Sequence, residues 1–299
     1  MNDDKQRAAS PAARQPWLWP ALFSMLAFAA NSLFCRLALS SGAIDAESFT
    51  AVRLASGAAF LLLLLARRQP RRPAGGSWKG GLALFLYAYL FSVAYLELGA
   101  GVGALILFGA VQISMFALAW LGGERFERRV LLGMLVAFAG LVALLLPGAN
   151  SPAPGSALLM VVSGVAWGVY SLLGKGSADP AAATGGNFLR SLALLPVLGL
   201  LLALGDGPRI SAPGLLYALA SGVLASGAGY VVWYGVLKRI SAQRAATLQL
   251  SVPVLAALGG VLLLGEPMSL RLLLTSAVVL GGVALALLPM RASAGRAGR

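Results

Sequence analysis

The chain has 299 residues, 59% of them hydrophobic and 11% charged, with a mean hydropathy of +0.84; soluble domains carry about 25% charged residues. This excludes a soluble globular domain, and the net charge of +13 does not indicate nucleic acid, because the basic residues stand in short connections between apolar runs. A single cysteine, Cys35, excludes an intramolecular disulfide, and the absence of histidine removes the commonest metal ligand and general base.

From the N-terminus, polar residues 1–16 read as a cytoplasmic tail, since no A-x-A cleavage pattern adjoins them. Apolar runs then predict helices at 17–38, 47–66, 78–98, 101–120 and 128–147. SSGAID breaks the chain after the first and QPRRPAGG after the second. PGANSPAPG separates these from five more, at 156–174, 184–204, 211–237, 243–263 and 269–289, with GDGPRISAP between the second and third. Each run is near the ~20 residues that cross a hydrocarbon core of about 30 Å. Backbone in lipid must satisfy its own hydrogen bonds, and the runs lack the alternation of barrel strands. The expectation is an all-α membrane protein with ten transmembrane helices.

With the N-terminus inside, 18 of the 23 Lys and Arg residues fall in inner compartments. That asymmetry places both termini in the cytoplasm.

One phrase occurs twice. GERFERRVLLGMLVAFAGLVALLLP, residues 123–147, and GEPMSLRLLLTSAVVLGGVALALLP, residues 265–289, agree at 10 of 25 positions without a gap. The matches include Gly140/Gly282 and Pro147/Pro289, and they mark the fifth and tenth helices. Five is odd, so a second set of five enters the membrane from the opposite side. The expected organisation is a tail at 1–16, a first repeat at 17–148, an inverted second repeat at 149–290 and a tail at 291–299. Inverted repeats of this kind build alternating-access transporters with the substrate between the halves, and one monomer then suffices for a path.

The closing motif stands here as PVLAALGGVLLLGEPMSLRLLLTSAVVLGGVALALL, beginning at Pro253. With five plus five spans and basic inner loops, it resembles the EamA-type transporters of the drug/metabolite transporter superfamily. FAANS, VAWGVYS and GYVVWYGVLK are more narrowly similar to segments of the YddG-type aromatic amino-acid exporters of the bacterial inner membrane. The resemblance implies a ten-helix basket with the fifth and tenth helices peripheral. It also implies export of amino acids, aromatic and other neutral ones, and related metabolites. Where those exporters carry tryptophan in the first and fourth spans, this chain has Phe28 and Gln112. The loss of two rings suits a cavity that accepts varied neutral solutes.

Polar and aromatic side chains at mid-membrane depth are costly unless they face a cavity or a partner. Phe28, Asn31, Tyr87, Tyr95 and Gln112 are such candidates in the first half, and Trp167, Tyr170, Tyr230, Trp233 and Gln249 in the second. Ser171, Asn187 and Tyr234 also lie at depth. Trp167 is too deep for the interfacial aromatic belt and shares a helix face with Tyr170. For Tyr230, Trp233 and Tyr234, cavity lining and interfacial anchoring are both open. Arg53 and Arg190 stand at matching places in their spans, where a guanidinium suits a carboxylate; snorkelling to the nearer interface is the favoured reading. Glu97 is placed to pair with Arg36 or Arg53.

All ten acidic residues lie in tails, loops or helix ends. A proton-coupled pathway usually holds an ionisable group, so facilitative movement is expected, with proton-coupled efflux as the alternative. An intramembrane enzyme acting on a lipid-soluble substrate is the rival from another class. It would need a nucleophile–base pair or a metal cluster, and neither is legible, so no enzyme, metal or cofactor is expected. The expected partners are a small-molecule substrate and the lipid bilayer.

Overall fold

The computed structural model describes residues 17–68, 74–123, 128–145, 152–240, 245–246 and 248–287. Both expected tails, much of QPRRPAGG and PGANSPAPG, Glu124 and Arg244 lie outside the described residues. The described chain is helical: α1 (Leu18–Ser40), α2 (Ala46–Ala66), α3 (Trp78–Ala94), α4 (Ala100–Leu121), α5 (Arg128–Leu145), α6 (Pro154–Lys175), α7 (Pro180–Leu204), α8 (Ala212–Leu237), α9 (Ser251–Leu264) and α10 (Leu270–Leu287). Among these, α1, α2, α4, α6, α7 and α8 are long and apolar enough to cross a membrane, while α3, α5, α9 and α10 hold shorter apolar segments. Large apolar residues such as Leu204, Leu216, Leu262 and Leu270 point outward, as a surface solvated by lipid requires.

Local chemistry sets the helix ends. Asp45 caps α2 by accepting from Ser48 N at 2.6 Å, and Ser77 caps α3 by accepting from Gly80 N at 3.0 Å. The second Asp45 oxygen accepts from Arg209 N at 2.7 Å, beside an isolated Ile44–Ile210 bridge that ties the α1–α2 and α7–α8 connections together. Gly265, at φ 65°, ends α9 in the left-handed conformation that glycine adopts without a Cβ penalty.

Prolines interrupt two spans. Pro196 has no N–H for the carbonyl four residues back; Ala193 N and Leu194 N instead close tight turns onto Arg190 O and Ser191 O at 3.2 and 3.1 Å, and regular α-helix is interrupted there. Pro253 acts the same way on the Gln249 carbonyl, which accepts from Val252 N at 3.1 Å. The helix expected over 243–263 is therefore interrupted: the described residues 245–246 and 248 are helical, 249–250 form a turn, and α9 begins at Ser251.

In the packing, α3 lies on α6 and α7, α1 on α8 and α9, α4 on α6 and α9, and α2 on α7 and α8. The two copies of the repeated phrase, α5 and α10, lie against each other. The shared glycines explain part of the repetition. A Cβ on Gly140 would stand 2.9 Å from Val279 Cγ2, and one on Gly282 would stand 2.6 Å from Gly133 O, so each glycine admits the other helix.

Candidate functional site

Where α1, α3, α6 and α8 converge, aromatic side chains fill the middle of the bundle. Phe28 from α1 meets Trp167, Trp233 and Tyr230 edge-on, at centroid distances of 5.3, 5.6 and 5.9 Å. Trp167 from α6 lies 4.8 Å from Tyr87 of α3, 4.6 Å from Tyr230 of α8 and 5.4 Å from Tyr170 one turn along. Such offset and edge contacts suit aromatic quadrupoles. All of these residues are at most 5% exposed.

A hydrogen-bond network runs beside the rings. Arg53 from α2 donates through Nη2 to Tyr230 Oη at 2.7 Å and Tyr87 Oη at 3.1 Å, and through Nε to Ser226 Oγ at 3.0 Å. Asn31 Nδ2 donates to Tyr87 Oη at 3.1 Å, and Ser221 Oγ donates to Asn31 Oδ1 at 2.6 Å. The guanidinium also lies 5.0 Å from the Tyr87 ring centre and 5.2 Å from that of Phe91.

Both serines stand on one irregular stretch. Residues Ser221–Ala228 of α8 are wound as a π-helix, a form concentrated at functional sites. Gly222 within it packs onto the Arg53 carbonyl and Ser56 Oγ, so α2 and α8 approach closely. The small residues SGVLASGA permit that approach. They were the available signal for the two serines, which sequence reading did not single out.

The break in the ninth span supplies the remaining polar group. Gln249, in the turn before Pro253, accepts from Trp167 Nε1 at 2.7 Å through its Oε1. Thus Phe28, Asn31, Tyr87, Trp167, Tyr170, Tyr230, Trp233 and Gln249 come together, whereas Tyr95 and Gln112 stand apart. Tyr95 packs on Phe91 at 4.6 Å and donates to Ala100 O at 3.3 Å, at the end of the bundle holding the α3–α4 connection. Gln112 lines a small void with Met134, Ala137 and Phe138, between α4 and α5. Tyr230, Trp233 and Tyr234 are packed inward: each is at most 1% exposed, and Tyr234 Oη donates to Tyr170 O at 3.0 Å.

Two further expectations are corrected. Arg53 does not snorkel: it is 1% exposed, drawn inward by two tyrosine hydroxyls and Ser226. Arg190 diverges from it, bonding Gly75 O at 2.6 Å and Gly186 O at 2.9 Å near the α2–α3 connection. Glu97 pairs with neither Arg36 nor Arg53 but accepts from Ser156, while Arg36 pairs with Glu266 at 3.2 Å.

Residues 155–288 match the EamA-like transporter family. A Pseudomonas aeruginosa protein, itself uncharacterized, is 55% identical over 278 residues, 93% of this chain and 96% of its own length. The second half of the chain thus carries an EamA-like transporter domain. It is a multi-pass membrane protein. A probable amino-acid metabolite efflux pump of Salmonella typhimurium is 26% identical over 213 residues, 66% of this chain and 70% of that one. A solved crystal structure, 25% identical with a TM-score of 0.64, is matched over 89% of this chain and 98% of its own.

Polar ties join the helices at both ends of the bundle, on either side of the aromatic centre. At the α3–α4 end, Glu266 accepts from Ala100 N at 2.8 and 3.0 Å, capping α4, while Arg36 Nη1 holds the Tyr95 and Leu96 carbonyls at 3.0 and 3.1 Å. At the α2–α3 end, Asn187 Oδ1 accepts from Ser77 N at 2.9 Å and Arg68 meets Asp179 at 3.2 Å.

Proposed function

We propose that the protein exports amino acids, aromatic and other neutral ones, and related small metabolites across the bacterial inner membrane by alternating access. Movement is facilitative, both termini face the cytoplasm, and the ten helices are two inverted five-helix repeats. The observation that carries this reading is the buried ring cluster of Phe28, Tyr87, Trp167 and Tyr230, bordered by Asn31 and Gln249 and assembled from both halves of the chain. A site of aromatic walls with a few polar groups suits small amphipathic solutes.

The packing supports the repeat. Exchanging each helix of the first half with its counterpart turns the α3–α6 contact into α8–α1, α4–α6 into α9–α1 and α2–α8 into α7–α3, and all of these contacts exist. The self-paired contacts α2–α7, α4–α9 and α5–α10 lie on the implied axis. The EamA-like domain and the name of the Salmonella relative favour amino-acid efflux. The ties at the two bundle ends are the natural gates, each opening while the other holds.

The test is reconstitution of the purified protein in liposomes with a panel of radiolabelled neutral and aromatic amino acids. Saturable uptake above that of protein-free vesicles is expected for several of them. No uptake of any amino acid would refute the reading.

A further inference from the structure

We infer that Arg53 is the anchor for a substrate carboxylate, so that the preferred solutes are small carboxylates carrying an apolar or aromatic body. This rests on the transport reading above and names the chemistry that the same site selects.

Arg53 is the buried cation at the centre, and the groups that hold it are neutral. Its Nε and Nη2 donate to Ser226, Tyr87 and Tyr230 hydroxyls. Its Nη1 is buried without a hydrogen-bond partner, and among the described residues no carboxylate bonds to it. A guanidinium removed from water and faced only by neutral dipoles remains electrostatically undersatisfied. Within a membrane span such a group marks a functional site by default. The Arg190 guanidinium, at the matching sequence position, is instead occupied by two backbone carbonyls. Arg53 thus keeps a charged donor open at the aromatic centre, alongside the neutral Trp233 Nε1 and Tyr170 Oη, which are also without a partner.

The surroundings define the rest of the ligand. Tyr87 and Tyr230 bond Arg53 and also touch the Trp167 ring, at 4.8 and 4.6 Å. A solute whose carboxylate met Nη1, with the tyrosine hydroxyls turned to donate to it, would lay its side chain on Trp167 and Phe28. A charge-assisted bond from guanidinium to carboxylate is roughly twice as strong as a neutral one. Amides and amines of the same shape forfeit it.

The test uses the full-length protein in liposomes, with radiolabelled phenylalanine as probe and phenylalanine amide and phenethylamine as competitors. The amide and the amine are expected to compete at least about tenfold more weakly than unlabelled phenylalanine. Arg53→Gln should raise the half-saturation concentration for phenylalanine at least about tenfold, with part of the loss recovered by Arg53→Lys. Equal competition by the amide, with uptake by Arg53→Gln unchanged, would overturn the anchor and leave transport standing. Absence of uptake of every amino acid in a neutral and aromatic panel would overturn both. If Arg53→Gln does not fold, the competition series on the unaltered protein decides alone.

Discussion

Trp167 donates its indole N–H to Gln249 Oε1 at 2.7 Å, joining α6 to the turn that precedes α9. The bond exists because Pro253 cannot donate to the Gln249 carbonyl, so the chain turns there and presents the glutamine to the aromatic centre. Broken helices of this type supply binding groups at mid-membrane depth in transporters.

Replacing that proline tests the causal order. Pro253→Ala restores an N–H and permits a regular helix through residue 249. Folding should be preserved, since Pro253 stands in the first turn of α9, where its missing N–H costs the helix little. Transport should nevertheless fall several-fold as Gln249 turns away from Trp167. Thermal unfolding and liposome uptake on the same preparation check both halves; unchanged uptake would detach the turn from function.

The π-helical stretch of α8 depends on the absence of a side chain at Gly222, where a Cβ would overlap the Arg53 carbonyl and Ser56 Oγ. Gly222→Ala should displace Ser221 and Ser226 from Asn31 and Arg53. Overpacking of a tight contact costs about 1–3 kcal/mol, and a lower melting temperature is expected. Gly155→Ala, where a Cβ would meet nothing within 4 Å, is the control and should be neutral.

Glu266 holds the α3–α4 end through Ala100 N and Arg36. Hydrogen bonds to charged groups contribute about 1.5–3 kcal/mol each, discounted here because both side chains are one-fifth exposed. Glu266→Gln should loosen this end, seen as faster thiol labelling of a cysteine placed at Leu98, which is 2% exposed. Labelling at the original rate would show that the tie does not control access.

Carboxylates are held near helix ends, as with Glu47 bonded by Tyr89 and Asp179 capping α7, and the aromatic centre contains none among the described residues. Transport should therefore survive collapse of the proton gradient. A protonophore that abolishes uptake in liposomes holding this protein alone would contradict this.

Periodicity, breakers and the repeated phrase made the helices legible, because ~20-residue apolar runs between Pro, Gly and basic residues leave the backbone few alternatives in lipid. Trp167 was legible as a ring too deep for the interfacial belt, whereas for Tyr230 cavity lining and interfacial anchoring both stayed open. The direction taken by Arg53 was not. Its position matches that of Arg190, and what separates the two is three-dimensional: hydroxyls of α3 and α8 reach one guanidinium, and backbone carbonyls reach the other. Tyr95 and Gln112 shared the composition of the site residues, but helix rotation turned them toward neighbouring helices. A π-helix changes residues per turn inside an apolar run, so the facing of Ser221 and Ser226 was invisible to a regular helical period.

The central claim is that solute contacts the aromatic cluster on its way through, and concentration-dependent liposome uptake by Trp167→Ala tests it most directly. Trp167 provides a stacking surface worth about 0.5–1.5 kcal/mol beyond its burial, and each 1.4 kcal/mol is about tenfold in affinity. The half-saturation concentration, normalised to folded protein, should rise several-fold to about tenfold, most for aromatic amino acids, with much of the loss recovered in Trp167→Phe. If Trp167 only packs the bundle, less protein will survive but its half-saturation will be unchanged for small and aromatic solutes alike, and the account is then wrong.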